Sequence, residues 1–212
     1  MVQASSEPLD AVFAPASLTI FNTPLVTPVL RLVSRLCLRL LGWRLLGSIA
    51  PQIKKAVVIA APHTSNWDLP YSLMAGFGLG LQAHWLGKAS LFRFPFGGVM
   101  RWLGGIGVER SRPGQLVSAA VNCFKASEGP LFLMIPPEGT RSKVREWKTG
   151  FYYIAQGAQV PIILAYMDHG KKEAGLGPCL EITGNLEQDM ATVKAFYAPI
   201  RGLRPDQFDA GT

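Results

Sequence analysis

The sequence predicts an α/β fold, with a mixed, mostly parallel sheet flanked by helices. Short apolar runs recur along the chain, and those at 56–61, 131–135 and 160–167 have the length and composition of buried strands. Stretches with helical spacing separate them, and such alternation is typical of a sheet covered on both faces. The 212 residues suit one such domain, which we assign to 50–212 after an N-terminal arm and helix in 1–49.

A basic amphipathic helix is predicted near the N-terminus, after an arm in residues 1–22 that shows no clear periodicity. Thr27 and Pro28 suit a helix start, and we expect the helix to end near Gly47. Arginines form one stripe and apolar side chains another face: Arg31, Arg35 and Arg39, and Leu32, Leu36, Leu40 and Trp43. We interpret it as a membrane-interface helix. The alternative is a core helix whose arginine stripe is solvated.

The remaining elements follow in order along the chain. The uncharged stretch from Leu69 to Gly87 contains Pro70 and several glycines, so it suits a buried helix leading into a strand. It is a poor membrane span, because a span needs about 20 mostly apolar residues. Further strands are predicted at 83–88, 105–110 and 179–184, and further helices at 114–129, 149–158 and 186–200. The residues after Pro199 are expected to form a frayed tail.

The composition indicates an anionic partner. The net charge of +7 and the isoelectric point near 9.5 suit a nucleic acid, an anionic membrane, or a phosphorylated or carboxylated substrate. Because the basic residues do not form lysine-rich tails and Phe and Trp are plentiful, we favour a membrane surface and expect no nucleic acid. Three widely spaced cysteines indicate neither a disulfide framework nor a zinc site, which suggests a reducing compartment. Residues 1–30 lack the basic region of a secretory signal.

The loop HTSNWD, residues 63–68, directly follows a predicted strand and carries a histidine and an acid. Asp68 is the only carboxylate between Ala11 and Val108. Imidazole can take a proton from a hydroxyl near neutral pH, and a carboxylate on its other nitrogen fixes the tautomer. No GxSxG motif occurs, so His63 would act directly on a substrate hydroxyl. A lone histidine is more often structural, and His84 and His169 receive that interpretation.

A second polar loop, PPEGTRSK, follows the predicted strand 131–135. Arg141 can hold a phosphate through its planar guanidinium, and Lys143 or Lys148 can add charge. The alternative is a solvated loop in which Glu138 pairs with Arg141. Ligand sites in such sheets gather just past the carboxyl ends of strands, which is where both loops lie.

Together, the two loops resemble the first and third signature blocks of the glycerolipid acyltransferase family, whose best-known members are the 1-acyl-sn-glycerol-3-phosphate acyltransferases. GGIGVERS (104–111) and VPIILAY (160–166) resemble the second and fourth blocks, so the resemblance covers roughly residues 50–185 in the correct order. It implies transfer of a fatty acyl group from acyl-CoA or acyl-ACP to the hydroxyl of a lysophospholipid, in phospholipid biosynthesis. It implies no metal and no cofactor beyond this co-substrate.

The resemblance also implies roles for individual residues. His63 would be the general base and Asp68 its orienting partner. The acceptor site would be lined by Arg110, Glu138, Gly139, Thr140 and Arg141. Lys88 would help to hold the acceptor's phosphate. We expect backbone N–H groups at the start of the helix after His63 to stabilise the oxyanion. We expect an apolar trough, formed partly by residues 91–105 with Phe92, Phe94 and Phe96, to hold the acyl chain.

Departures from the usual blocks leave the acceptor open. Pro62 replaces the usual asparagine before the histidine, and Glu109 replaces an aspartate in the second block. The leading acceptor is 1-acyl-sn-glycerol-3-phosphate, and another lysolipid such as a lyso-aminolipid is the alternative. Two rivals are an acyl-thioester hydrolase and a non-catalytic peripheral lipid-binding protein. We expect a peripheral or monotopic protein on the cytoplasmic face of the inner or cell membrane.

Overall fold

A seven-stranded sheet forms the centre of the part of the chain that the computed structural model describes, residues 15–108 and 113–210. Its strands are β1 (Arg44–Leu46), β2 (Lys55–Ala61), β3 (Ala83–Lys88), β4 (Gly105–Val108), β5 (Leu131–Ile135), β6 (Ile162–Asp168) and β7 (Glu173–Leu180). Their order across the sheet is β1-β7-β6-β2-β5-β3-β4. Only β6 and β7 pair antiparallel among these strands. The predicted mixed, mostly parallel sheet is confirmed.

Helices cover both faces of this sheet. They are α1 (Val26–Leu40), α2 (Asp68–Leu79), α3 (Gly97–Trp102), α4 (Pro113–Ala126), α5 (Gly150–Ala158) and α6 (Leu186–Tyr197), with short 3-10 turns at Ala89–Phe92 and Pro205–Gln207. The larger apolar core lies between the sheet and α4, α5 and α6, where Phe124, Phe151 and Tyr197 are buried. On the opposite face, Leu38 of α1 and Ala75 of α2 belong to a smaller cluster.

The central strand β2 shows why the apolar runs form strands. Val57 and Ile59 join the larger core, whereas Ala56 and Val58 join a cluster on the other face, and all four are fully buried. A strand buried on both faces needs apolar side chains at every position, which explains the continuous run. The three strongest strand predictions, at 56–61, 131–135 and 160–167, coincide with β2, β5 and β6.

Two boundaries differ from the sequence predictions. The helix expected to reach Gly47 ends at Leu40, and β1 follows it and pairs with β7. The strand expected at 179–184 lies earlier, as β7, because a tight turn after β6 returns the chain antiparallel to it. A side chain at Gly177 would come within 2.4 Å of the Phe196 ring. The glycines of this strand make its sequence less apolar, so the pattern of apolar residues did not predict a strand there.

The first and last segments of the described residues both pack against the domain. Ile20 and Phe21 are buried, and the Phe21 ring stacks on Phe77 at 4.8 Å, while residues 1–14 lie outside the described part of the chain. The expected frayed tail after Pro199 is wrong for residues 200–210. The backbone N–H of Arg204 donates to Thr64 Oγ1 at 3.2 Å, so this segment packs on the loop that carries His63.

Helix α1 presents an apolar face to solvent. Leu25, Leu32 and Leu40 are 84%, 70% and 78% exposed, whereas Leu38 is 1% exposed. Trp43, predicted on the apolar face of this helix, is instead buried beyond its end, since the helix stops at Leu40. The arginine stripe is not merely solvated, because the Arg35 Nε–H donates to the carbonyl oxygen of Gly78 at 2.8 Å, near the carboxyl end of α2. Within the described residues, no helix has the length and apolar character needed to cross a bilayer.

Candidate active site

The two motif loops emerge side by side at the carboxyl edge of the sheet. β2 and β5 are directly paired and parallel, with Val57 opposite Leu133 and Ile59 opposite Ile135. The loops that follow them therefore begin at the same edge of the sheet. A hydrogen bond joins them: the backbone N–H of His63 donates to Glu138 Oε1 at 3.0 Å. The structure thus brings together the two loops that the sequence placed 75 residues apart.

His63 and Asp68 face each other across the start of α2. The distance from His63 Nδ1 to Asp68 Oδ2 is 3.5 Å, slightly longer than a good hydrogen bond. The side chain of His63 is 31% exposed and that of Asp68 only 4%. Because Nδ1 is turned to the carboxylate, the Nε2 lone pair is the one left to take a proton from a bound hydroxyl.

The Asp68 carboxylate is held as an anion by its surroundings. Burial alone would raise its pKa, but the nearby side chains of His169 and His63 and hydrogen bonds from two backbone N–H groups hold the pKa well below the usual range. The backbone donors are Thr64 and Ser65, which reach Oδ2 at 2.6 and 2.8 Å. An ionised carboxylate at this position can stabilise the imidazolium that forms when His63 takes up a proton.

These same contacts occupy two of the N–H groups expected to serve as oxyanion donors. The N–H groups of Thr64 and Ser65 lie between His63 and the first residue of α2. Both donate to Asp68 Oδ2, so neither is free for a reacting carbonyl. These two N–H groups fix the carboxylate of Asp68. The loop before α2 therefore folds back onto Asp68, the first residue of that helix.

Glu138, which the resemblance implied as an acceptor-site residue, is not among the residues that line the pocket. It is 2% exposed, and its Oε1 accepts the hydrogen bond from His63. Oε2 has no hydrogen-bond partner among the described residues. Burial raises the pKa of Glu138 to about 7, against the lowering effect of its contacts with His63. The residue therefore positions the His63 loop and does not pair with Arg141.

Glycine is required after Glu138. Gly139 has φ +66°, and a Cβ there would come within 2.8 Å of Lys148 Nζ. The Lys148 backbone N–H donates to the carbonyl oxygen of Pro137 at 2.9 Å, so the end of this loop folds against its start. Beyond the glycine, Arg141 Nη1 donates to Asn66 Oδ1, which makes a second link between the two loops.

A pocket of about 560 Å³ opens between these loops, within the range usual for small-molecule sites. The predicted site residues that line it are His63, Asp68, Lys88, Gly139, Thr140 and Arg141. Its apolar wall comes from α2 and three strands and their flanks: Leu69, Ala75, Leu79, Leu81, Trp85, Leu86, Met134 and Leu176. The pocket therefore combines a base, two cations and an apolar wall. Arg110 lies outside the described residues.

The structure places only one end of the segment expected to form an acyl trough, residues 91–105, at the pocket. Leu91 lines the pocket, but Phe94 and Phe96 are 97% and 67% exposed. Phe92 is buried against glycines of β3 and β4, where a Cβ on Gly105 would come within 2.8 Å of its ring. Pro95 and two solvent-facing phenylalanines leave this segment at the surface, and α2 and the sheet supply the apolar wall.

His169, interpreted as structural from the sequence, contacts the site. Its Nε2 lies 3.7 Å from Asp68 Oδ1. It directly follows the carboxyl end of β6, the strand that pairs with β2 on the side opposite β5. The rule that drew attention to the other two loops, that sites gather at this edge, applies equally to this position. His84 lies on β3 and is not among the residues that line the pocket.

Comparisons with known proteins identify the family of the chain. The sequence model described as Acyltransferase matches residues 47–167, more than half of the chain. The 1-acyl-sn-glycerol-3-phosphate acyltransferases of Salmonella typhimurium and Salmonella typhi are each 38% identical over 113 residues. That match covers 50% of this chain and 44% of each relative, so the chain matches less than half of their length.

The fold is also similar to a solved structure. The crystal structure of the 1-acyl-sn-glycerophosphate acyltransferase from Thermotoga maritima matches with a TM-score of 0.56 at 18% identity. The match covers 82% of this chain and 78% of that one. The likeness concerns the arrangement of the sheet and its helices, and the family follows from the match to residues 47–167. The chain belongs to the acyltransferase family.

Proposed function

We propose that the protein is an O-acyltransferase that moves a fatty acyl group from acyl-CoA or acyl-ACP to the hydroxyl of a lysophospholipid, with 1-acyl-sn-glycerol-3-phosphate as the leading acceptor. The observation that carries the proposal is the pocket itself. A histidine backed by a buried, ionised carboxylate opens into the same cavity as two cations and an apolar wall. This set matches an acceptor with a hydroxyl, an anionic head and a fatty chain.

His63 acts as the base in the proposed reaction. Its Nε2 takes the proton of the acceptor hydroxyl as the oxygen attacks the thioester carbonyl, and Asp68 stabilises the resulting imidazolium. The carbon–sulfur bond then breaks, and the departing thiolate receives the proton from His63. The new ester and the free thiol are the two products, and His63 returns to its neutral form. No covalent enzyme intermediate is needed.

Arg141 and Lys88 bind the anionic head in this proposal. Arg141 lies at the mouth of the pocket and is already oriented by its hydrogen bond to Asn66. Its planar guanidinium can form two parallel hydrogen bonds with a phosphate, whereas Lys88 acts as a point charge. Head binding at this edge would place an acceptor hydroxyl next to His63, which is how such contacts accelerate a transfer.

Helix α1 would hold the protein on the membrane that contains the acceptor. Its exposed leucines form an apolar face, and the chain carries a net charge of +7. Apolar insertion and attraction to anionic lipids together bind an amphipathic helix to a bilayer interface. We propose peripheral or monotopic attachment, on the cytoplasmic face of the cell membrane.

The test is a product screen. Purified protein is incubated with acyl-CoA or acyl-ACP and each member of a lysolipid panel that includes lysophosphatidic acid and a lyso-aminolipid, and thiol release and acylated lipid are measured by mass spectrometry. Transfer to a phosphate-bearing lysolipid, abolished in His63→Ala, supports the proposal. Thiol release that does not require an acceptor indicates a hydrolase. Vesicle binding without any thiol release, unchanged in His63→Ala, indicates a lipid-binding protein.

A further inference from the structure

The Asp68 carboxylate lies between two imidazoles. His63 Nδ1 is 3.5 Å from Oδ2, and His169 Nε2 is 3.7 Å from Oδ1. The sequence separates these histidines by more than one hundred residues, and the fold brings them to opposite oxygens of one buried group. From this arrangement we propose that His169 is a positioning residue for the catalytic base. It holds the free oxygen of Asp68 and so keeps the carboxylate directed at His63.

The two oxygens of Asp68 are unequally held without His169. Oδ2 accepts hydrogen bonds from Thr64 and Ser65 and faces His63. The polar contact that the structure shows for Oδ1 is His169. Loss of the polar group that faces Oδ1 would leave this buried oxygen against an apolar ring, which is unfavourable and would favour rotation of the carboxylate or entry of water. Either change would alter the alignment of Oδ2 with His63.

The imidazole of His169 is well placed for this role. Its side chain is 12% exposed. Its ring meets Trp43 edge to face at 4.9 Å and Tyr71 at 5.6 Å, and its backbone N–H donates to the carbonyl oxygen of Arg201 at 2.8 Å. The ring therefore has little freedom to turn away from Asp68. At 3.7 Å the contact is longer than a hydrogen bond, so its effect on the anion is mainly electrostatic, which is strong in a buried site.

His169 is also reached from a separate cavity of about 470 Å³, which does not include His63. Trp43, Tyr71, Lys172 and Arg201 line it together with the imidazole. The acceptor pocket and this cavity thus lie on the two sides of the pair formed by Asp68 and His169. A substitution at His169 changes the second cavity and leaves the lining of the acceptor pocket intact. An effect of His169 on catalysis can therefore be separated from an effect on acceptor binding.

The inference rests on the proposed function, and the experiment compares variants at two positions. His169→Phe keeps the aromatic packing and removes the polar N–H, and His169→Gln keeps an N–H donor. Phe124→Leu, in the core on the other face of the sheet, is the control for altered packing. We expect kcat of His169→Phe to fall by about 10- to 100-fold, as for a misaligned catalytic group, with KM for the lysolipid within about threefold. His169→Gln should recover much of the loss, and Phe124→Leu should retain kcat.

A double variant supplies the decisive readout. If His169 acts through Asp68, then His169→Phe should lower kcat little or not at all once Asp68 is already asparagine. Equal losses in both backgrounds would overturn the inference, as would wild-type kcat in a folded His169→Phe protein or equal losses for Phe and Gln. If the Phe variant does not fold, His169→Asn replaces it, because its amide is too short to reach Oδ1. A wild-type protein without acyl transfer would overturn the proposed function and this inference with it.

Discussion

Replacing Glu138 with glutamine should remove much of the pH dependence of stability between about pH 4.5 and 7. The folded protein raises the pKa of this carboxyl from 4.5 to about 7, chiefly through burial. Between these values the folded state retains a proton that the unfolded state has lost. Stability therefore falls as pH rises through this window and is unaffected by this group above it. Glutamine never ionises, so the variant lacks this slope.

The size of the effect follows from the shift. A shift of one pKa unit corresponds to 1.36 kcal/mol, so a rise from 4.5 to about 7 corresponds to about 3 kcal/mol. Below pH 5 the protonated carboxyl group of Glu138 and the amide of glutamine have similar hydrogen-bonding needs. Each can accept from the His63 N–H, and each leaves one buried donor without a partner. We therefore expect similar stabilities at pH 5 and a variant that is more stable by about 2–3 kcal/mol at pH 8.

Urea unfolding of both proteins at several pH values between 5 and 8 measures this difference. The shift of Asp68 does not interfere, because a lowered pKa contributes stability that is lost only below its unfolded value of 3.8. Parallel curves for the two proteins, with a difference that stays within about 0.5 kcal/mol over the whole range, would refute the reasoning.

Three further predictions concern activity and membrane binding. His63→Ala and Asp68→Asn should each lower kcat of acyl transfer, measured as thiol release, by about 10²- to 10⁴-fold. The unfolding temperature should stay unchanged in His63→Ala and fall in Asp68→Asn, because the lowered pKa of Asp68 contributes stability; near-normal turnover of either variant would exclude this base. Arg141→Lys should raise KM for a phosphate-bearing lysolipid more than kcat falls, because lysine cannot make the bidentate contact; an uncharged acceptor should show no such change. Leu32→Glu combined with Leu40→Glu should reduce binding to anionic vesicles at least about tenfold, since each inserted leucine contributes on the order of 1.5 kcal/mol. Equal binding of the wild type and this double variant would exclude α1 as the anchor.

The sequence predicted the parts of the site that depend on local structure. The strand 56–61 is apolar at every position because both faces are covered, so its end, and the loop with His63, could be located. The spacing of His63 and Asp68 is short enough for one loop and the first helical turn to bring them together. These features involve neighbours along the chain, which is what periodicity and spacing report.

The features that the sequence did not predict depend on distant contacts. β1 has three residues and owes its strand conformation to pairing with β7. His169 becomes part of the site only because β6 lies beside β2, which no local pattern indicates. Glu138 appeared to be a lining residue, but the course of the loop buries it. The sheet order decided the first two cases, and the course of the loop decided the third.

The two acids near His63 have opposite charge states for physical reasons. Asp68 has N–H groups and imidazoles around it, which stabilise the anion more than burial destabilises it. Glu138 is also buried but accepts a single hydrogen bond from His63, so burial dominates and its pKa rises to about 7. Environments that separate the pKa values of paired acids define their roles. Asp68 can therefore stabilise an imidazolium throughout the neutral range. Below pH 7, Glu138 is neutral and supports the His63 loop through its hydrogen bond. Above that pH, a second buried anion next to His63 would lower the stability of the fold.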